Sequence, residues 1–301
     1  MAASTRRRES ELATLRQMMS AGPKLTDATP QERRQAWETA SRYLPAPTDV
    51  EFDHQSIGGV PATSVRSSDS GNGTILYVHG GSHTAGSLTT HRNILGDLAR
   101  ATSCEVIAPW FRLAPEHAFP AALDDVGLVY EECSRKADRA FFVVGDSSGG
   151  GLAVSMLMTA RDAGRTMPKA LVCLSPWLDL TLTAPSLDKS GSTDFVLDRQ
   201  SLATSAEAYL DGHIAGDPYV SPALGDWSGL PPTLIQAGGA ELLLDDAIAG
   251  ARAAIAAGVR VTLEIWPGMP HGYHLLGHAL SDGRIAMTRA MDWMLATGAE
   301  T

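Results

Sequence analysis

From Thr74 onward, short runs that are apolar at nearly every position alternate with longer stretches in which apolar residues return every three or four positions. The short runs are 74–80 (TILYVHG), 104–110 (CEVIAPW), 140–146 (AFFVVGD), 170–176 (ALVCLSP), 233–238 (TLIQAG) and 260–266 (RVTLEIW). Strands that are apolar on both faces belong in a parallel sheet covered by helices. The helical periodicity falls at about 149–163, 243–257 and 281–295. Strand and helix alternating in this way predict an α/β fold of mostly parallel strands. Upstream, two extended runs flank Gly58-Gly59 and read as a hairpin.

Two regions stand outside this rhythm. The first fifty residues read as helical. Leu12, Leu15, Met18 and Met19 share one face, and Thr29-Pro30-Gln31-Glu32 is a capping box that opens a helix running to about Tyr43, before Pro45. From about 181 to 214 no strand pattern appears between two clear strands. An insertion of that length in an α/β unit is commonly a lid.

Composition narrows the classes. With 301 residues, 44% hydrophobic and 19% charged, the chain can bury a large core. Its formal net charge of -10 gives no counterion-release gain on nucleic acid and repels anionic membranes. No apolar run is long enough to span a bilayer, and no apolar segment follows the basic start MAASTRRRES. The reading is a cytoplasmic protein with no nucleic-acid partner and no stable membrane insertion. Cys104, Cys133 and Cys173 are scattered, with no CxxC pair, so buried free thiols are expected rather than disulfides or a zinc cage.

The chemistry centres on 143–151, VVGDSSGGG. A Ser/Gly stretch is ordinarily a linker, but this one joins an apolar strand directly to a helical segment. Gly145-x-Ser147-x-Gly149 fits the nucleophile elbow, a strand–turn–helix bend too tight for side chains beside the nucleophile. Register selects Ser147, since Ser148 has Asp146 rather than glycine two residues before it. Ser148 is expected to act through its backbone N–H, with a side chain replaceable by alanine.

A serine hydroxyl needs a base, and the base needs an orienting acid. After an elbow of this kind the acid precedes the histidine in the chain. His213, His271, His274 and His278 are the candidate bases. His271, in PGMPHGYH just after the strand ending at Trp266, is the best placed, with His274 as second choice. The candidate acids are Glu241, Asp245 and Asp246. Glu241 lies in the loop itself, whereas the two aspartates fall in the first turn of the next helix, where they favour the helix dipole. His79-Gly80-Gly81, directly after the first apolar strand, reads as an oxyanion loop and not as a phosphate loop, since no Gly-Lys-Ser/Thr follows.

Several motifs in one order then resemble the hormone-sensitive-lipase family of α/β-hydrolases. They are HGGS at 79–82, FRLAPEHAFPAALDD at 111–125, GDSSGG at 145–150, SPWLDL at 175–180, DPYVSPALGDWSGLPPTLIQAG at 217–238 and GMPHGY at 268–273. The resemblance implies an α/β-hydrolase domain over 1–301, with an eight-stranded, mostly parallel sheet. It also implies a helical cap from about 1–48 and 181–214. The implied activity is hydrolysis of small carboxylic esters of short or medium chain through an acyl-enzyme, without a cofactor or metal. The implied residues are Ser147, Glu241 and His271, with oxyanion donors at the N–H groups of Gly80, Gly81 and Ser148. The chain departs from the family at Ser82, where a third glycine is usual, and at Glu241, where many members carry Asp. Glu followed by LLLDD resembles one subgroup. A lactone hydrolase with the same triad is the alternative, and a binding-only receptor of the same fold is the alternative from another class. Retention of the histidine favours the enzyme. Phe195, Leu197, Tyr209 and Leu210 are candidate pocket-wall residues, with helix packing as an equal alternative, and a homodimer through 260–266 or the last helix is allowed.

Overall fold

The computed structural model describes residues 2–21, 28–44, 46–137, 139–189 and 193–300. Its elements begin with two helices, α1 (Ala2–Ser20) and α2 (Pro30–Arg42), and a hairpin of β1 (Val50–Ile57) and β2 (Val60–Ser67). Then follow β3 (Gly73–Val78), α3 (Leu88–Thr102), β4 (Glu105–Pro109), α4 (Ala121–Lys136), β5 (Ala140–Asp146) and α5 (Ser148–Asp162). After β6 (Ala170–Leu174) come the short α6 (Ser186–Lys189), α7 (Arg199–Leu210), β7 (Thr233–Gly238), α8 (Leu244–Ala256), β8 (Val261–Trp266) and α9 (Ser281–Ala299).

The strands form one eight-stranded sheet in the order β1-β2-β4-β3-β5-β6-β7-β8. Only β2 opposes its neighbours; from β4 to β8 every pair is parallel. This is the α/β-hydrolase fold expected from the sequence. Side chains alternate between two helical layers, as the period of a strand requires. Leu76, Val78, Val143 and Leu171 pack with α4, α5 and α8, whereas Ile75, Tyr77, Phe142 and Val144 pack with α3 and α9. The three cysteines are free and buried in these layers.

The strands and the hairpin fall within a residue or two of their sequence-based bounds. Residues 88–102 and 121–136, where the apolar pattern predicts no element, are α3 and α4. Each buries a single stripe, Ile94, Leu95, Leu98 and Ala99 in α3 and Val126, Val129, Tyr130 and Cys133 in α4, diluted by charged and small residues.

Helices α1, α2 and α7 lie over the carboxyl ends of the strands. Leu12 and Leu15 of α1 pack on Met269, Tyr273 and Leu280, in the loop between β8 and α9. Glu11 accepts both the N–H (2.9 Å) and the hydroxyl (2.8 Å) of Ser281, supplying the cap that α9's own N-cap residue, Leu280, does not provide. α2 has its full capping box at Thr29 and Glu32. Arg34 donates to the carbonyls of Thr84 and Ala114, and Trp37 meets His91 edge-on at 5.4 Å. Tyr209 of α7 stacks flat on His83, ring centres 3.9 Å apart. Parts of the two expected cap segments, at 1, 22–27, 45 and 190–192, lie outside the described residues.

Candidate active site

Ser147 is the turn between β5 and α5, with φ 51° and ψ −127°. A side-chain-bearing residue at such an angle is strained by roughly 1–3 kcal/mol and persists only where its surroundings fix it. Here they do. The Ser147 N–H donates to Leu174 O at 2.9 Å, and its carbonyl accepts from Trp177 N at 2.9 Å and Gly150 N at 3.0 Å. The flanking glycines have a packing reason: a Cβ on Gly149 would stand 2.2 Å from Val78 O, and one on Gly145 would stand 2.5 Å from Gly149 O.

The structure brings Ser147, His271 and Glu241 together from three loops. Ser147 Oγ lies 3.0 Å from His271 Nε2. His271 Nδ1 faces Glu241 Oε2 at 3.6 Å, an ion-pair separation rather than a closed hydrogen bond. Glu241 occupies the turn between β7 and α8 and is fully buried. Burial pushes the Glu241 carboxyl up, and His271 and the Ser175 hydroxyl hold it partly back. Burial alone would lower the His271 pKa, but the Glu241 carboxylate outweighs it and the net direction is upward.

The other candidates lie elsewhere. His274 Nε2 meets Gln236 Oε1 at 3.1 Å, and burial pushes its pKa down to about 3, so the second-choice base is a structural residue. His213 is paired with Asp217 near the surface, and His278 is exposed. Asp245 and Asp246 do more than favour a helix dipole. Asp245 accepts Ser186 N at 2.8 Å, and Asp246 accepts Leu178 N and Asp179 N, each at 2.8 Å. These bonds fasten α8 to the chain leaving β6. Phe195 packs with α1, while Leu197 and Leu210 pack against the main core.

The oxyanion loop needs one correction. The Gly80 N–H does not face the serine as a free donor; it donates to Asp146 Oδ1 at 2.9 Å. The same oxygen accepts from Tyr77 OH at 2.8 Å, and His79 Nδ1–H donates to Gly80 O at 2.8 Å. Gly80 is thus the anchor of the loop. Among the described residues the N–H groups of Gly81 and Ser82 have no partner, and neither has that of Ser148 at the start of α5. Ser82 and His83 hold the left-handed conformation, with φ 54° and 60°. The Ser148 hydroxyl, expected to be idle, accepts the His83 N–H at 3.1 Å and ties the elbow to this loop.

Sequence reasoning also passed over Ser175, although the motif SPWLDL was in view. Its signal was position: it is the first residue after β6, between the strands that present Ser147 and Glu241. No group of His, Cys, Asp and Glu suited to a metal ion occurs among the described residues. No helix among them is long and apolar enough to cross a membrane.

Residues 75–275 match the family defined by the α/β hydrolase fold. Over 279 residues the chain is 37% identical to an acetyl-hydrolase of Streptomyces hygroscopicus, covering 92% of this chain and 93% of that protein. It is 32% identical over 268 residues to an esterase of Acinetobacter venetianus, covering 88% of each. A crystal structure of an esterase from the bacterial hormone-sensitive lipase family superposes with a TM-score of 0.90 at 34% identity, over 97% of this chain and 98% of that one.

Proposed function

The chain belongs to the α/β-hydrolase family, among the hormone-sensitive-lipase-like enzymes, and is a carboxylic ester hydrolase; from that premise we propose that it works through Ser147, His271 and Glu241, with Glu rather than Asp as the acid. The observation that carries this reading is the 3.0 Å contact between Ser147 Oγ and His271 Nε2 at a strained strand-to-helix turn.

Ser147 Oγ attacks the ester carbonyl carbon while His271 Nε2 takes its proton. The N–H groups of Gly81, Ser82 and Ser148 stabilise the oxyanion of the tetrahedral intermediate. Gly80 drops out of that set because its N–H is already spent on Asp146. His271 then protonates the leaving alkoxide, and the acyl group stays on Ser147. Water, deprotonated by the same imidazole, attacks the acyl-enzyme and releases the acid. Glu241 stays ionised and offsets the imidazolium charge, which the raised His271 pKa supports. Helices α1, α2 and α7, which lie within the expected cap segments, act as the cap, a reading supported by their contacts with the loops that carry His271 and the oxyanion donors. Similarity to a relative named as an acetyl-hydrolase supports short acyl groups as the substrates of this chain.

Ser147→Ala should abolish hydrolysis of p-nitrophenyl acetate and labelling by a fluorophosphonate, with an unchanged circular-dichroism spectrum. Turnover by that variant at more than about a thousandth of the wild-type rate would overturn the assignment.

A further inference from the structure

We infer that Ser175 is a positioning residue: its hydroxyl sets the Glu241 carboxylate and the backbone of the His271 loop in register with each other. The inference rests on the triad proposed above and adds a fourth side chain to it.

Ser175 is fully buried where the chain leaves β6. Its hydroxyl donates to Glu241 Oε2 at 2.7 Å and accepts the N–H of Gly272, the residue after His271, at 3.3 Å. A hydroxyl has one proton and two lone pairs, so one oxygen can do both. Its own N–H is pinned to Gln236 O at 2.7 Å, so the bridge stands on the rigid end of the sheet. Among the described residues no other side chain hydrogen-bonds the Glu241 carboxylate. Oε1 has no partner, and His271 Nδ1, also without one, is 3.6 Å from Oε2. The next carboxylate, Asp194, is engaged by the Leu242 N–H at 2.9 Å.

Two further points favour the hydroxyl as the reason for this residue. Glu carries one more rotatable bond than Asp, so its carboxylate needs a second anchor to face an imidazole in a single pose. Ser175 also holds φ 47°, where glycine would be the relaxed occupant. The serine is strained in its backbone, and its side chain bonds the acid and the base loop at once.

The test compares Ser175→Ala, Ser175→Gly, Glu241→Ala and the Ser175→Ala/Glu241→Ala double variant, with p-nitrophenyl butyrate as probe. Loss of a hydrogen bond to a charged group predicts a kcat lower by about tenfold to a hundredfold in both Ser175 variants. KM should stay within about twofold, because the bridge acts on the transition state and not on substrate binding. The acidic limb of kcat/KM should move to higher pH, since a carboxylate without its donor is more basic and holds the imidazolium proton more tightly. In the Glu241→Ala background, Ser175→Ala should cost nothing more. Equal fold-losses in both backgrounds, or Ser175→Ala and Ser175→Gly with wild-type kcat, would overturn the inference while leaving the triad intact. Wild-type activity in Glu241→Ala would overturn the triad and Ser175 with it. Ser175→Gly guards against misfolding, because it relaxes the backbone while removing the same hydroxyl.

Discussion

Ser148 differs from Ser147 by one position and acts through different atoms. Its N–H is free at the start of α5, while its hydroxyl accepts the His83 N–H. Alanine there leaves a buried donor on the oxyanion loop without a partner, at about 1–3 kcal/mol. Ser148→Ala should therefore lower the melting temperature and reduce kcat/KM by about tenfold, read in thermal unfolding and steady-state kinetics. Full activity would mean that Arg34 on Thr84 O and Ala114 N on His83 O hold the loop unaided. At this scale the sequence disclosed residues whose neighbours in the chain announce them. Ser147 has its glycines and His271 its strand end. Glu241 stood out by its loop position, and the structure sets it beside His271. What a side chain touches across the fold was not legible. The Gly80 N–H, an expected oxyanion donor, is taken by Asp146, and the Ser148 hydroxyl, expected to be replaceable, accepts the His83 N–H.

Elements were legible where burial is complete. β3, β5, β6 and β7 are apolar on both faces, so their runs stand out against any background. α3 and α4 bury one face each and expose charge on the other, which weakens the pattern without weakening the helix. α1 extends well upstream of the apolar face that announced it. It is held to the first turn of α9 by Glu11 on Ser281 and by Arg8 on Asp282. Glu11→Ala removes a cap worth about 0.5–2 kcal/mol. α1 should then be cleaved sooner by trypsin at Arg6, Arg7 or Arg16, with the rest of the domain resistant. Bulkier p-nitrophenyl esters should show an altered KM if α1 belongs to the cap. Unchanged proteolysis would place the docking energy in Leu12 and Leu15, in the Arg8–Asp282 ion pair and in the contacts of Arg16 with Thr193 O and the Phe195 ring instead.

For the molecule as a whole, buried histidines set the response to acid. Burial pushes His79 down to about 4, with His91 adding to the effect, and pushes His83 and His274 down to about 3. Each takes up a proton only on unfolding, so its contribution is full above about pH 6.5 and is lost as pH falls toward the folded value. Asp246 works the other way. Burial raises it to about 7, so its contribution is present in acid and is lost as pH rises through that value. Glu241, raised by burial, adds to the same side. Three histidines against these carboxyls leave the unfolded state binding more protons between pH 4 and 6. Stability should then fall on acidification through this range. Activity fails earlier, because His271 must be neutral and its pKa lies above the ordinary value. Acidification should first silence the enzyme reversibly and only then unfold it. His83→Phe isolates the contribution of one histidine. The ring keeps its stack on Tyr209, and Nε2 has no partner to lose among the described residues. Urea unfolding of this variant between pH 4 and 6 should show a pH dependence of stability shallower by about one proton. A slope equal to wild type would mean that His83 is protonated in the folded protein, against the burial that surrounds it.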